Sequence, residues 1–198
     1  MHAVPVRGKV HAMAQMRTVT PGYTVIHPNR DKPECKVMKV IVVAILLASV
    51  VLMVLVTFGG WSKLEGLTPL NFAWCVAYLV LAYYVWRWSR GSLPIAAGLA
   101  ILLLMVAVVA GTGLSGTSWF DRSASGFAHA QSIFGGTGLS AGVLGTLTLL
   151  LIPVQLLLIV FAMIGFAQGW NVELEVPIEE AKRPGSPPVV PPAQPSAA

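Results

Sequence analysis

VIVVAILLASVVLMVLVTF, residues 40–58, holds no charged side chain, no proline and no glycine. Nineteen residues at about 1.5 Å each make a helix of roughly 28 Å, close to the hydrocarbon thickness of a bilayer. Three more such runs follow, at residues 70–86, 93–114 and 143–167. Everything else in the chain connects these runs or trails from them. The sequence therefore predicts an all-α membrane protein: an antiparallel four-helix transmembrane bundle with spans at about 38–58, 70–88, 93–114 and 142–168. Helices are expected because a backbone surrounded by lipid must satisfy its own hydrogen bonds.

Composition agrees. Of 198 residues, 56% are hydrophobic and 11% charged, against about 25% charged in an ordinary soluble domain. The spans occupy residues 37–170 and leave no room for a separate soluble domain. The net charge of +5 does not gather into a groove for nucleic acid, and no nucleic-acid partner is expected. It divides by membrane side instead. With the N-terminus in the cytoplasm, eleven of the thirteen Lys and Arg residues fall inside, and only Lys63 and Arg122 fall outside. Both termini are thus expected in the cytoplasm of a bacterial cell, with the protein multi-pass in its membrane. Trp61, Phe72, Trp74, Trp119 and Phe120 fall at the expected outer boundary, and Tyr83, Tyr84, Trp86, Trp88 and Trp170 at the inner one. Amphipathic rings settle at such boundaries.

Residues 1–36 form a polar, basic leader broken by Pro5, Pro21, Pro28 and Pro33, where little stable structure is expected. Met13 and Met16 are alternative starting points. The first run reads as an uncleaved signal anchor, since it ends in Phe58-Gly59-Gly60-Trp61 rather than a small-x-small cleavage site. Arg30, Lys32, Lys36 and Lys39 stand directly before it. They serve as a topology signal, and they are also candidate contacts for anionic lipid headgroups. Cys35 and Cys75 belong to opposite ends of a helical hairpin, too far apart for a disulfide, so two free thiols are expected.

The third link, residues 115–141, is too long for a tight turn. Phe120, Phe127 and Phe134 recur every seven residues, which fits a short surface helix over residues 123–134; the alternative is an irregular loop. Small residues then lead into the fourth span. Gly138/Gly142 and Ala141/Gly145 form small-xxx-small pairs, as do Ala44/Ala48, Ala73/Ala77 and Ala107/Gly111. Such notches let helix backbones approach closely, within one chain or between copies. Pro153 is expected to bend the fourth helix. Residues 171–178 alternate apolar and acidic side chains, which suggests a short strand or an extended piece lying along the inner surface. From Pro184 onward the Pro-, Ser- and Ala-rich composition predicts a disordered tail, with a PxxP-type ligand at residues 187–192 as the sharper alternative.

Chemistry is harder to find. No span carries an ionisable residue between its ends, where transporters and membrane enzymes commonly place one. The one strongly polar core candidate is Gln155, two residues after Pro153. Its amide suits either a structural bond, to the carbonyl freed by Pro153 or to a neighbouring helix, or a place in a substrate pathway. Histidine is missing from the spans, which excludes bis-histidine haem there. No CxxC occurs. His129, Asp121, Arg122 and the serines at 115, 118 and 123 lack the spacing of a metal site or a triad. No catalytic residue, cofactor or metal is expected.

The phrases YTVIHPNRDKP at residues 23–33, WFDR at 119–122 and QGWNVE at 168–173 resemble those of a group of bacterial four-span membrane proteins from high-GC Gram-positive lineages. The resemblance covers most of residues 20–178. It implies the same topology and carries over no catalytic residue and no activity. The leading expectation is a non-catalytic accessory or scaffolding subunit whose partners are the bilayer and other membrane subunits or a second copy. Two alternatives stand beside it. One is an oligomeric channel or carrier for an uncharged or apolar solute, built around Gln155 and the glycine-rich start of the fourth span. The other is an enzyme of the outer loop using Asp121, Arg122 and His129.

Overall fold

The computed structural model describes residues 23–64, 67–112, 120, 133 and 138–178, the side chains of residues 62, 63 and 112 excepted. In chain order the elements are β1 (Tyr23–Ile26), α1 (Pro28–Asp31), α2 (Pro33–Gly59), α3 (Trp61–Leu64), α4 (Thr68–Trp86), α5 (Ser92–Thr112), α6 (Ala141–Ala167) and β2 (Leu174–Pro177). Two compact units result. Residues 27–172 hold the six helices named above, and the two strands belong to the other unit.

Four helices, α2, α4, α5 and α6, are long and apolar enough to cross a membrane. Prolines start α2 and α4, as they do the short α1: Pro28, Pro33 and Pro69 each occupy the first or second helical position, where a missing N–H costs nothing and the fixed φ already suits a helix. The Ser140 hydroxyl caps α6 by accepting from the Val143 N–H (3.4 Å). Gly169, at φ 63°, ends the same helix in the left-handed conformation that a glycine adopts without Cβ strain.

Successive long helices alternate in direction. The Leu139 N–H just ahead of α6 donates to the Gly59 carbonyl at the end of α2 (2.8 Å). A Cβ on Gly165, near the end of α6, would meet Met38, near the start of α2, and Leu93, at the start of α5. Asn71, early in α4, donates to Thr57, late in α2 (3.2 Å). α5 packs chiefly on α6, while α2 packs on both α4 and α6. The inner stripe of α5 is built from small residues, Ala96, Ala97, Ala100 and Ala107, interleaved with Leu93 and Leu103. Small side chains let two backbones close on each other where lipid provides little hydrophobic drive. The central core joins Leu46, Tyr78, Val85, Leu158 and Ala162, and a smaller cluster gathers Val56, Leu64, Phe120 and Leu144.

Only 28% to 33% of the apolar window of each long helix is buried inside the chain. The rest is half-buried or exposed, and the exposed part, such as Val51, Val76, Ile95 and Val160, is an apolar surface beyond what a soluble monomer exposes.

The leader expectation needs correcting over residues 23–36. There the structure has β1, α1 and the first turn of α2, which begins at Pro33 rather than near residue 38. β1 pairs antiparallel with β2, from Tyr23 opposite Pro177 to Ile26 opposite Leu174. The alternating segment at 171–178 thus contains a strand, as its pattern predicts, and its partner is the end of the leader. The surface helix expected at residues 123–134, the span end at 113–114, the leader before residue 23 and the proline-rich tail lie outside the described residues, Ile133 apart.

Candidate functional site

Gln155 sits at the centre of the bundle with no exposed surface. Its Nε2 donates to the Ser49 hydroxyl of α2 (2.9 Å), and its Oε1 accepts from the Tyr78 hydroxyl of α4 (2.8 Å). Ser49 in turn donates to the carbonyl of Ile45 one turn earlier in its own helix (2.9 Å). One amide therefore ties three helices together. Of the structural readings of Gln155, the structure has the bridge to neighbouring helices. Pro153 lies inside α6, which is continuous through it. Toward the other end of α2 a second polar link, Asn71 to Thr57, closes on the Met53 carbonyl through the Thr57 hydroxyl (2.6 Å). Among the described residues one buried side-chain donor lacks a partner, the indole N–H of Trp74, a turn before Tyr78 in α4.

The glycines read as packing sites separate. Gly138 lies ahead of the α6 cap and outside the helix, so it shares no helical face with Gly142. A Cβ on Gly142 would meet nothing within 4 Å, whereas Gly145 is buried on the inner face of α6. Ala44, Ala48 and Ala73 point outward and so make no seam within the chain. The Ala107/Gly111 notch is used: a Cβ on Gly111 would come within 2.9 Å of Leu149.

The four basic residues before the first span also separate, around the C-terminal end of α6. That end leaves carbonyls without intrahelical donors. Asn29 of α1 donates to the carbonyls of Gln168 (3.2 Å) and Gly169 (3.0 Å), and the Arg30 Nε donates to that of Trp170 (3.3 Å). From the turn between α4 and α5, the Arg90 Nε reaches the Phe166 carbonyl (2.9 Å) and its guanidinium stacks on the Phe166 ring (4.2 Å). Cationic donors at a helix C-terminus also complement its dipole. Trp170 is fully buried rather than spread at a boundary, and it packs edge-to-face on Trp88 (5.3 Å between centroids). The Lys39 ammonium lies over both Trp86 (4.5 Å) and Trp88 (4.2 Å). Lys32 and Lys36 remain exposed.

No family model matches the chain, and comparison with curated proteins and with solved structures finds no match.

Sequence reasoning passed over Ser49, Tyr78, Asn29 and Arg90. A tyrosine deep in an apolar run, far from either boundary, was the available signal for Tyr78, since a buried phenol needs a partner. Asn29 had no such signal, because its partners are backbone carbonyls 139 and 140 positions away. The outer-loop residues Asp121, Arg122 and His129 lie outside the described residues, as do Ser115, Ser118 and Ser123. Cys35 and Cys75 are free thiols, both buried.

Proposed function

We propose that this chain is a non-catalytic multi-pass protein of the bacterial cell membrane, with both termini cytoplasmic, acting as an accessory or scaffolding subunit of a larger complex. The carrying observation is how its polar and apolar groups are divided. The polar side chains at mid-bundle, Gln155, Ser49 and Tyr78, are spent on one another at the centre, which locks three helices into one rigid body. The outer surface is left apolar. On α5 it carries a notch at Gly98, where a Cβ would meet nothing within 4 Å, flanked by the exposed Ile95, Leu102 and Met105. A glycine notch among large apolar side chains is a surface that a second helix can approach closely.

Extraction in mild detergent followed by native sizing tests the reading. The expected result is a particle larger than one copy, with defined companions that Gly98→Leu releases. A lone monomer before and after gentle cross-linking overturns it.

The channel or carrier alternative needs polar groups on an open wall. The enclosed amide of Gln155, bonded at both ends, gives it no support. Solute flux through liposomes above that of empty vesicles would restore it.

A further inference from the structure

We propose that Lys32 and Lys36, with the outward face of α2 beneath them, bind one anionic phospholipid. The inference rests on the membrane-spanning reading of α2 and adds a specific ligand to it. Four cations stand directly before the first apolar run, but two are already engaged: Arg30 on the Trp170 carbonyl and Lys39 over the rings of Trp86 and Trp88. Lys32, at the residue before α2, and Lys36, in its first turn, are the exposed pair. Below Lys36 at helical spacing run Val40, Ala44, Leu47 and Val51, all exposed, with Val40 and Val51 each more than half so, at 51% and 57%.

Counting about 100° per residue, these side chains fall within roughly 80° of Lys36 around the axis. They form a strip that leads straight down from two ammonium groups, and Ala44 makes it shallow. Glu34, the nearby acid on α2, lies about 160° away from Lys36 on the same count, so it does not screen that side. A phosphodiester beside Lys32 and Lys36, with an acyl chain along the strip, matches both the charge and the polarity of this surface. A zwitterionic lipid offers the same phosphate but brings its own cation against the two lysines.

The test uses the full chain in nanodiscs of phosphatidylcholine with a minor share of phosphatidylglycerol, and weighs the lipids that stay bound on release into the mass spectrometer. The expected result is retention of phosphatidylglycerol above its bulk share. Retention should fall roughly fivefold for each lysine removed in Lys32→Gln and Lys36→Gln, return in the Lys→Arg pair, and stay unchanged in Lys39→Gln. Bulk-share retention by the native chain overturns the proposal, as does an equal loss in Lys39→Gln. Displacement by inorganic phosphate at constant ionic strength also overturns it, since it marks a site for the free anion rather than the lipid. A chain that alkaline carbonate strips from membranes would instead sink the membrane-spanning reading itself, and this inference with it.

Discussion

Gln155 shows how much one buried amide can decide. Replacing it by leucine leaves the Tyr78 hydroxyl with a donor and no acceptor, whereas Ser49 keeps its bond to Ile45 and loses only an incoming donor. The larger share of the cost therefore falls on Tyr78. Gln155→Leu is expected to lower stability by about 1–3 kcal/mol, the usual range for orphaning a buried group. Tyr78→Phe alone should cost about 0.6–1.7 kcal/mol, as inter-helix bonds in membranes do. Combined, the two should cost less than their sum. Reversible unfolding in mixed SDS micelles reads all three, and strict additivity would show that the two side chains do not bond. Lys39 is decided by a different force. Lys39→Met keeps the aliphatic stem and removes the charge above Trp86 and Trp88, for an expected loss of about 0.5–2 kcal/mol. Trp88 is held at φ 64°, a left-handed backbone that costs a bulky residue roughly 1–2 kcal/mol. Its contacts to Lys39 and Trp170 offset that strain, so the midpoint of Lys39→Met should fall together with a shift in tryptophan emission.

Among the elements, α5 and α6 depend on closeness. At Gly111 an added side chain runs into Leu149, including its backbone nitrogen at 3.3 Å, while at Gly142 it meets open space. Gly111→Val is expected to destabilise by about 1–3 kcal/mol, as overpacking does. Gly142→Ala should stabilise by up to about 1 kcal/mol through helix propensity alone. Thermal unfolding in one detergent compares them, and equal effects would contradict the packing. The sequence could not tell these two glycines apart. A small-xxx-small pattern shows where a notch exists and not which way it faces, because the long helices are apolar all round and lack the polar stripe that marks an outer face. The existence of α2, α4, α5 and α6 was legible for the same reason: long uncharged runs have few other solutions. β1 was not, since a four-residue strand has no periodicity of its own and its pairing comes from a partner at the far end of the chain. The candidate site was half legible. Gln155 stood out by its polarity, but Ser49 and Tyr78 gain meaning only once three helices meet.

For the whole molecule, the pairing of β1 with β2 constrains where the two ends go. Tyr23 and Pro177 lie opposite each other, which brings those two points of the chain to one end of the ribbon. Reporter enzymes fused to the two termini are expected to report one and the same compartment, and activity on opposite sides would be incompatible with an even number of crossings and with the ribbon alike. On the proposed orientation that compartment is the cytoplasm, the side that the charge bias around the spans favours. The ribbon also has a place in time. Translation delivers Tyr23–Ile26 before any long helix and Leu174–Pro177 after all of them, so the first strand must wait through the synthesis of the entire bundle for its match. A nascent chain arrested short of residue 174 therefore carries its first strand without the partner that pairs with it in the folded protein.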